Sequence, residues 1–274
     1  MRVGLLQLSS GDDPAANLPH TLARIDEAAR DGATLVLTPE VTNCVSTSRR
    51  QQEAVLQRED DDITLAALRD AARAHGIWIV AGSLAVKTDD PDGRFANRSF
   101  LIAPSGDVTA RYDKIHMFDV DVSETESYRE SKGYRPGTRA VLANTDMATL
   151  GLTICYDLRF PHLFRTLAQK GAQIITVPSA FSTGTGPDHW EPLLRARAIE
   201  TGCFILAPAQ TGQNTEKRAT YGHTLAVSPW GRVLCDGGTE PGVCMVDLDL
   251  QDVETSRSRI PSLHNDRAFD IPDE

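Results

Sequence analysis

Three side chains stand at or just past the ends of strand-like runs. Glu40 closes "ATLVLTPE", Lys114 closes "VTARYDK" and Cys155 closes "MATLGLTIC". A carboxylate, an ammonium and a thiol are together sufficient for covalent catalysis at a carbonyl carbon. The thiol is a poor nucleophile until deprotonated, and Glu40 is the kind of group that serves as general base. Lys114, with the backbone N–H of Tyr156, can place positive charge beside an oxyanion. In open α/β sheets ligands bind at the carboxyl ends of strands, so three complementary groups there suggest a site. The competing reading, which spacing leaves standing, is a buried structural cysteine with an exposed Glu and a surface Lys.

The stretch "GLTICYDLRFP" (151–161) puts Cys155 between a β-branched run and a helical pattern. A helix start favours thiolate through its dipole and free N–H groups, so a lowered thiol pKa is expected here. Cys44 is the rival nucleophile, but it sits in the loop "VTNCVS" with no helix behind it. Other chemistries lack their local signs. There is no "CGSCW"-like segment, and the seven histidines form no H-x-x-x-H or H-E-x-x-H pair. "STGTGPDHW" (182–190) lacks the Gly-Lys-Ser/Thr of a P-loop and is broken by Pro187. Neither a metal nor a cofactor is expected.

The elements that must position these groups alternate along the chain. Strands are expected at 2–8, 33–40, 77–86, 97–104, 108–114, 147–155, 173–178, 203–209, 222–229 and 242–249. Helices are expected at 17–30, 63–75, 162–170 and 188–201. Gly76 and Gly171 stand where helix stops belong, and Pro161 at a first helical position. "SGD" between two strands is a hairpin signal. The segment 115–139 is irregular and charged, and loops that long inside compact domains are usually functional or disordered. Strand–helix–strand ending near residue 40 and strand–Cys–helix–strand near 155 look like two related halves of a layered α/β protein.

With 274 residues and 41% hydrophobic content, the chain can bury a large single core. No linker-like tract divides it, so one domain over 1–274 is expected, with about 250–274 as a C-terminal arm. No apolar run approaches the ~20 residues of a membrane helix, and "MRVGLLQLSS" does not read as a signal peptide. The net charge of −10 repels polyanions, which argues against nucleic acid. A small anionic substrate fits if basic residues gather in one cleft. Five cysteines without a C-x-x-C pair argue against a disulfide framework and a zinc ribbon, and for a reducing, cytoplasmic setting.

"LVLTPE", "RYDKIHMFD" and "GLTICYDLRFP", in this order, resemble the three motifs of the nitrilase superfamily of carbon–nitrogen hydrolases, over essentially the whole chain. The resemblance implies a Glu40–Lys114–Cys155 triad, with Glu130 of "ESKGYRPG" as a second glutamate that supports the lysine. It implies a four-layer α-β-β-α sandwich, with Cys155 on a nucleophile elbow and Tyr156 donating its N–H to the oxyanion. It also places Arg159 to pair with a substrate carboxylate, for which the guanidinium fork is suited, with Phe181 and Thr185 at pocket positions. An ion pair between Arg159 and Asp157 or a neighbour is the structural alternative. Trp190, His116 and His189 read as scaffold.

The segments 178–201 and 216–231 are most similar to the amidase branch that includes ω-amidases and deaminated-glutathione amidases. A thioester mechanism on deaminated glutathione is the first expectation, with Lys217 and Arg218 meeting a distal carboxylate. 2-Oxoglutaramate, or another amide or carbamoyl substrate, is the alternative. A catalytically silent binding protein on the same fold is the reading from another class, against which the intact Glu–Lys–Glu–Cys set argues. The resemblance further implies a homodimer formed through the helices after the nucleophile strand and the strand following it, with the arm across the interface.

Overall fold

The computed structural model describes residues 1–122 and 127–270. One six-stranded sheet contains β1 (Arg2–Gln7), β2 (Leu35–Leu37), β3 (Trp78–Val86), β4 (Ala96–Ile102) and β5 (Val108–Asp113). A short hairpin of β6 (Asp119–Asp121) and β7 (Ser127–Arg129) follows. The second sheet contains β8 (Val141–Asn144), β9 (Thr149–Leu152), β10 (Ile174–Thr176) and β11 (Phe204–Ala207). After the hairpin β12 (Thr211–Thr215) and β13 (Arg218–Tyr221), β14 (Leu225–Val227) and β15 (Val233–Asp236) complete it. β16 (Gly242–Asp247) returns to the first sheet beside β1.

The sheet orders are β16-β1-β2-β3-β4-β5 and β15-β14-β11-β10-β9-β8. Each has a parallel trio, β1-β2-β3 or β9-β10-β11, flanked by antiparallel strands. The two related halves are thus present as two sheets of matching pattern.

Strand alternation decides which side chains face which layer. Leu35 and Leu37 of β2 join Leu150, Leu152 and Ile174 in the core that includes both sheets. Val36, between them, packs with Ile25 and Ala28 of α1 (Pro14–Arg30) and Leu68 and Ala72 of α3 (Ile63–His75). On the other side Phe164 and Leu167 of α4 (Pro161–Gln169) and Trp190 and Leu194 of α5 (Gly186–Thr201) cover the second sheet. This is the expected α-β-β-α sandwich.

Several boundaries differ for local reasons. α1 begins at Pro14 rather than 17, because Asp13 accepts from the Ala15 N–H as N-cap and proline suits the first helical position. α5 begins at Gly186 rather than 188. α3 matches its expected span, and Gly76 ends it at φ +65°. The short helix α2 (Arg49–Val55), β6–β8, β12, β13 and β15 carry no strong apolar period and were not expected as elements. The expected arm begins with α6 (Gln251–Arg259), a mostly polar helix without a sequence signature. Residues 123–126 of the irregular segment and 271–274 of the arm lie outside the described residues.

The cysteines hold one departure. Cys235 and Cys244 form a disulfide, with Cα atoms 6.3 Å apart, while Cys44, Cys155 and Cys203 are free and buried. Strand adjacency rather than a short motif brings this pair together, so the spacing gave no sign of it. Among the described residues no helix is long and apolar enough to cross a membrane.

Candidate active site

Glu40 lies three residues past the end of β2, and Cys155 three past the end of β9. Both chains turn sharply there, with Val41 at φ +45° and Cys155 at φ +46°, a left-handed backbone uncommon for residues other than glycine. The Glu40 turn rests directly on β3: a Cβ on Gly82 would meet the Thr38 carbonyl oxygen at 1.9 Å and that of Pro39 at 2.7 Å. Only glycine lets the two backbones approach so closely. Lys114 follows β5, and its carbonyl oxygen accepts from the Gly137 N–H at 2.7 Å.

Glu40 and Lys114 are 5% and 2% exposed, which rules out an exposed carboxylate and a surface lysine. Lys114 Nζ donates to Glu40 Oε1 at 2.8 Å and to both oxygens of Glu130 at 2.9 Å. Glu130 Oε2 also accepts from the Phe118 N–H at 2.7 Å. Glu40 Oε1 accepts from Asn97 Nδ2 at 2.9 Å, and its Oε2 from the Ala180 N–H at 2.8 Å. A buried ammonium held by two carboxylates is neutralised on both sides, the condition under which burial is tolerable.

The charges follow from this packing. Burial pushes the Glu40 carboxyl up, but the Lys114 charge and the hydrogen bonds from Lys114, Ala180 and Cys155 more than offset it, leaving it below its ordinary value. Burial pulls Lys114 down, and Glu130, Glu40 and Cys155 together raise it well above the ordinary range. Cys155 is pushed up, by burial first and then by the Glu40 charge. The resting set is therefore carboxylate, ammonium and neutral thiol. This corrects the expectation of a thiolate held by a helix start. A five-residue 3₁₀ turn (Cys155–Arg159) separates Cys155 from α4, so no long helix opens at the sulfur. The Glu40 carboxylate, which lines the same cavity and whose charge acts on the thiol, is the group that can take its proton.

One cavity of about 660 Å³ is lined by Glu40, Lys114, Glu130 and Cys155 together. Tyr156, Arg159, Phe181 and Thr185 line it too, so every expected site residue meets in one place. Cys155 spends its own N–H on the Pro178 carbonyl at 3.0 Å, while nothing among the described residues accepts from that of Tyr156. Arg159 does not pair with Asp157. Its Nη2 lies 3.1 Å from His189 Nδ1, and its guanidinium stands 5.9 Å from the Phe181 ring. The Phe181 ring leans on Trp190 at 4.9 Å. Thr185 lines the cavity, but its hydroxyl is buried and has no hydrogen-bond partner among the described residues.

Arg218 and Lys217 also line the cavity, but they differ. Arg218 donates to the Tyr128 hydroxyl and, at 2.6 Å, to the Ala180 carbonyl. It is tied into the wall, which corrects the expectation that it stands ready for a ligand. Lys217 has no partner among the described residues and is exposed. Arg49, Arg129 and Lys132 complete an excess of cations over the two glutamates on a chain whose net charge is −10. Cys44 is at the cavity too, but burial and the nearby Asp12 and Asp13 push its thiol up to about 12, and its Sγ donates to the Asp12 backbone carbonyl at 3.6 Å.

Two participants escaped the sequence reading. The Asn97 side chain, on Glu40 and at 3.3 Å from Glu130, was legible in principle. The hairpin register pairs Arg98 with Asp113, which puts Asn97 opposite Lys114. The Ala180 N–H carried no signal, since any residue supplies one. Among the described residues no three His, Cys, Asp or Glu side chains converge as metal ligands would.

The carbon–nitrogen hydrolase family matches residues 2–258. The chain is 40% identical to a deaminated glutathione amidase of Yersinia enterocolitica over 266 residues, covering 97% of this chain and 92% of that one. It superposes on the Caenorhabditis elegans NitFhit protein with a TM-score of 0.90 at 33% identity, covering 97% of this chain and 65% of that longer one. It is also similar to an amidase of Nesterenkonia sp. AN1, at TM-score 0.77 and 28% identity, covering 95% and 98%. In that structure acrylamide has undergone Michael addition at the active-site cysteine. The chain belongs to the carbon–nitrogen hydrolases of the nitrilase superfamily and is an amidase with a cysteine nucleophile.

Proposed function

We propose that Cys155 is the nucleophile, Glu40 the general base and Lys114 the oxyanion partner in hydrolysis of deaminated glutathione. One observation carries the reading. A buried thiol pushed up by burial and by the Glu40 charge shares a cation-rich cavity with a lysine bridging two glutamates. Cys155 Sγ attacks the amide carbonyl as its proton passes to Glu40. Lys114 Nζ and the Tyr156 N–H hold the oxyanion. Glu40 then returns the proton to the leaving nitrogen, and cysteinylglycine departs from a thioester. Water, deprotonated by Glu40 and positioned with Glu130, attacks the thioester and releases 2-oxoglutarate.

Substrate recognition belongs to the same proposal. Arg159 meets the carboxylate beside the 2-oxo group, since a guanidinium has five N–H donors and His189 occupies one side only. Phe181 and Thr185 shape the wall, and Lys217 meets the distal carboxylate of the peptide-like leaving group. The name of the Yersinia enterocolitica relative points to the same substrate. The test is kcat/KM for deaminated glutathione against 2-oxoglutaramate. A preference for the first is the expected result. Equal or better use of 2-oxoglutaramate would make the protein an ω-amidase.

A homodimer and a cytoplasmic setting complete the reading. Ile199 of α5, Trp230 and Ile260 are 55%, 46% and 57% exposed, an apolar surface where α5 meets the C-terminal segment. Sedimentation velocity should give twice the 29.8 kDa chain mass, and fractionation with thiol mapping of Cys235 and Cys244 tests the setting.

A further inference from the structure

Asp157 is wholly buried, two residues past the nucleophile, and no step above uses it. Its carboxylate accepts four hydrogen bonds. Oδ2 takes the Ile154 N–H at 2.8 Å and the Tyr112 hydroxyl at 2.7 Å. Oδ1 takes His116 twice, from the backbone N–H at 3.1 Å and from Nδ1 at 2.6 Å. The Tyr112 hydroxyl in turn accepts from the Ile115 N–H at 3.3 Å.

These partners fall into two groups around the reacting residues. Tyr112 and His116 stand two residues to either side of Lys114. Ile154 and Asp157 itself enclose Cys155 and Tyr156, and the Asp157 N–H closes the turn on the Ile154 carbonyl at 3.1 Å. The His116 ring is further clamped by stacking on Phe160, with centroids 3.5 Å apart. One carboxylate therefore joins the end of the lysine strand, in the first sheet, to the elbow of the nucleophile, in the second.

We infer that Asp157 is a positioning residue that sets the spacing of Lys114 and Cys155 and holds the left-handed backbone of the elbow. Cys155 at φ +46° is in a conformation that persists only when its surroundings over-determine it. The Ile154 N–H on Asp157 supplies such a restraint immediately before the sulfur-bearing residue. On the other side, the backbone of Lys114 is fixed on both flanks by side chains that end on the same two oxygens. A buried carboxylate suits this task because it can accept all four donors, whereas the amide of asparagine has a single acceptor oxygen and presents its own N–H groups to donors.

The inference rests on Cys155 as nucleophile but not on the substrate, so the test uses iodoacetamide, with the adduct located by mass spectrometry. Asp157→Asn should slow alkylation of Cys155 by about 100-fold, the scale of a misplacement near 1 Å. The loss in amide turnover should fall on kcat, with KM nearly unchanged. Tyr112→Phe leaves three of the four donors and should slow alkylation by up to about 10-fold, the scale of one hydrogen bond. It carries the test alone if Asp157→Asn does not fold. Variants that melt at a lower temperature yet alkylate at the wild-type rate would reduce Asp157 to a core group and overturn the inference. Wild-type alkylation at a site other than Cys155 would instead remove the nucleophile assignment.

Discussion

Arg218 Nη2 donates at 2.6 Å to the carbonyl oxygen of Ala180, the residue whose N–H donates to Glu40 Oε2. The guanidinium also stands 4.8 Å from the Tyr128 ring centroid. It fastens the β12–β13 hairpin to the wall that orients the general base. Arg218→Ala should therefore lower kcat for deaminated glutathione and 2-oxoglutaramate alike. Lys217→Ala, which removes an exposed charge, should cut only the preference for the longer substrate, by about 2- to 5-fold. Parallel kcat/KM measurements separate the two, and a selective loss in Arg218→Ala would return that residue to substrate binding.

Cys155→Ala should fold and be inactive, since it removes the nucleophile and little volume. Cys44→Ala should stay active, because its thiol is held up by burial and donates to the Asp12 backbone carbonyl rather than to the Glu40–Lys114 set. Circular dichroism and product release check both. Measurable turnover in purified Cys155→Ala would exclude the thioester route.

Glu40→Gln and Lys114→Met should each slow acylation by about 10²–10⁴-fold, the usual range for general-base and oxyanion contributions. Lys114→Met should also destabilise the fold, by about 3–5 kcal/mol, because it strands Glu40 and Glu130 in a buried site. Lys114→Arg should fail as well, since a planar fork cannot replace a compact ammonium between two carboxylates. Single-turnover rates and urea melts test these; a near-normal rate in Glu40→Gln would remove its role as base.

The pH behaviour follows from the directions of the shifts. Glu40 titrates lower in the fold than its ordinary 4.5, so its stabilising effect is present above that pH and is lost as pH falls through the folded value. Lys114 titrates above its ordinary 10.5, so its effect is full below that pH and is lost as pH rises through the folded value. Melting temperatures should be insensitive to this pair between those limits. Glu130→Gln, which removes one carboxylate from Lys114, should bring the alkaline decline to lower pH. Cys155, raised from its ordinary 9.0 by burial and Glu40, should show no alkylation plateau beginning below pH 9. Such a plateau would mean a resting thiolate.

Glu40 and Cys155 were legible because each follows an apolar run, which has few places in a layered α/β fold other than a buried strand, and Lys114 because it ends the second strand of a hairpin. The same periodicity exposed α3 to the residue, and the repeated strand–helix–strand pattern exposed the two sheets. Glu130 came from a motif instead, since the charged segment around it has no period. What the tertiary structure alone decided were relations between distant segments. The thiol is neutral because two sheets bury it beside a carboxylate 115 positions earlier in the chain, which no helix-start argument can supply. Arg218 is structural because Tyr128 and Ala180 happen to meet it, and Asp157 reaches the lysine strand only once the sheets are stacked. Residue type sets which chemistry a side chain can perform. Its charge state and its partners depend on what folding packs against it, and that is not written in its neighbours along the chain.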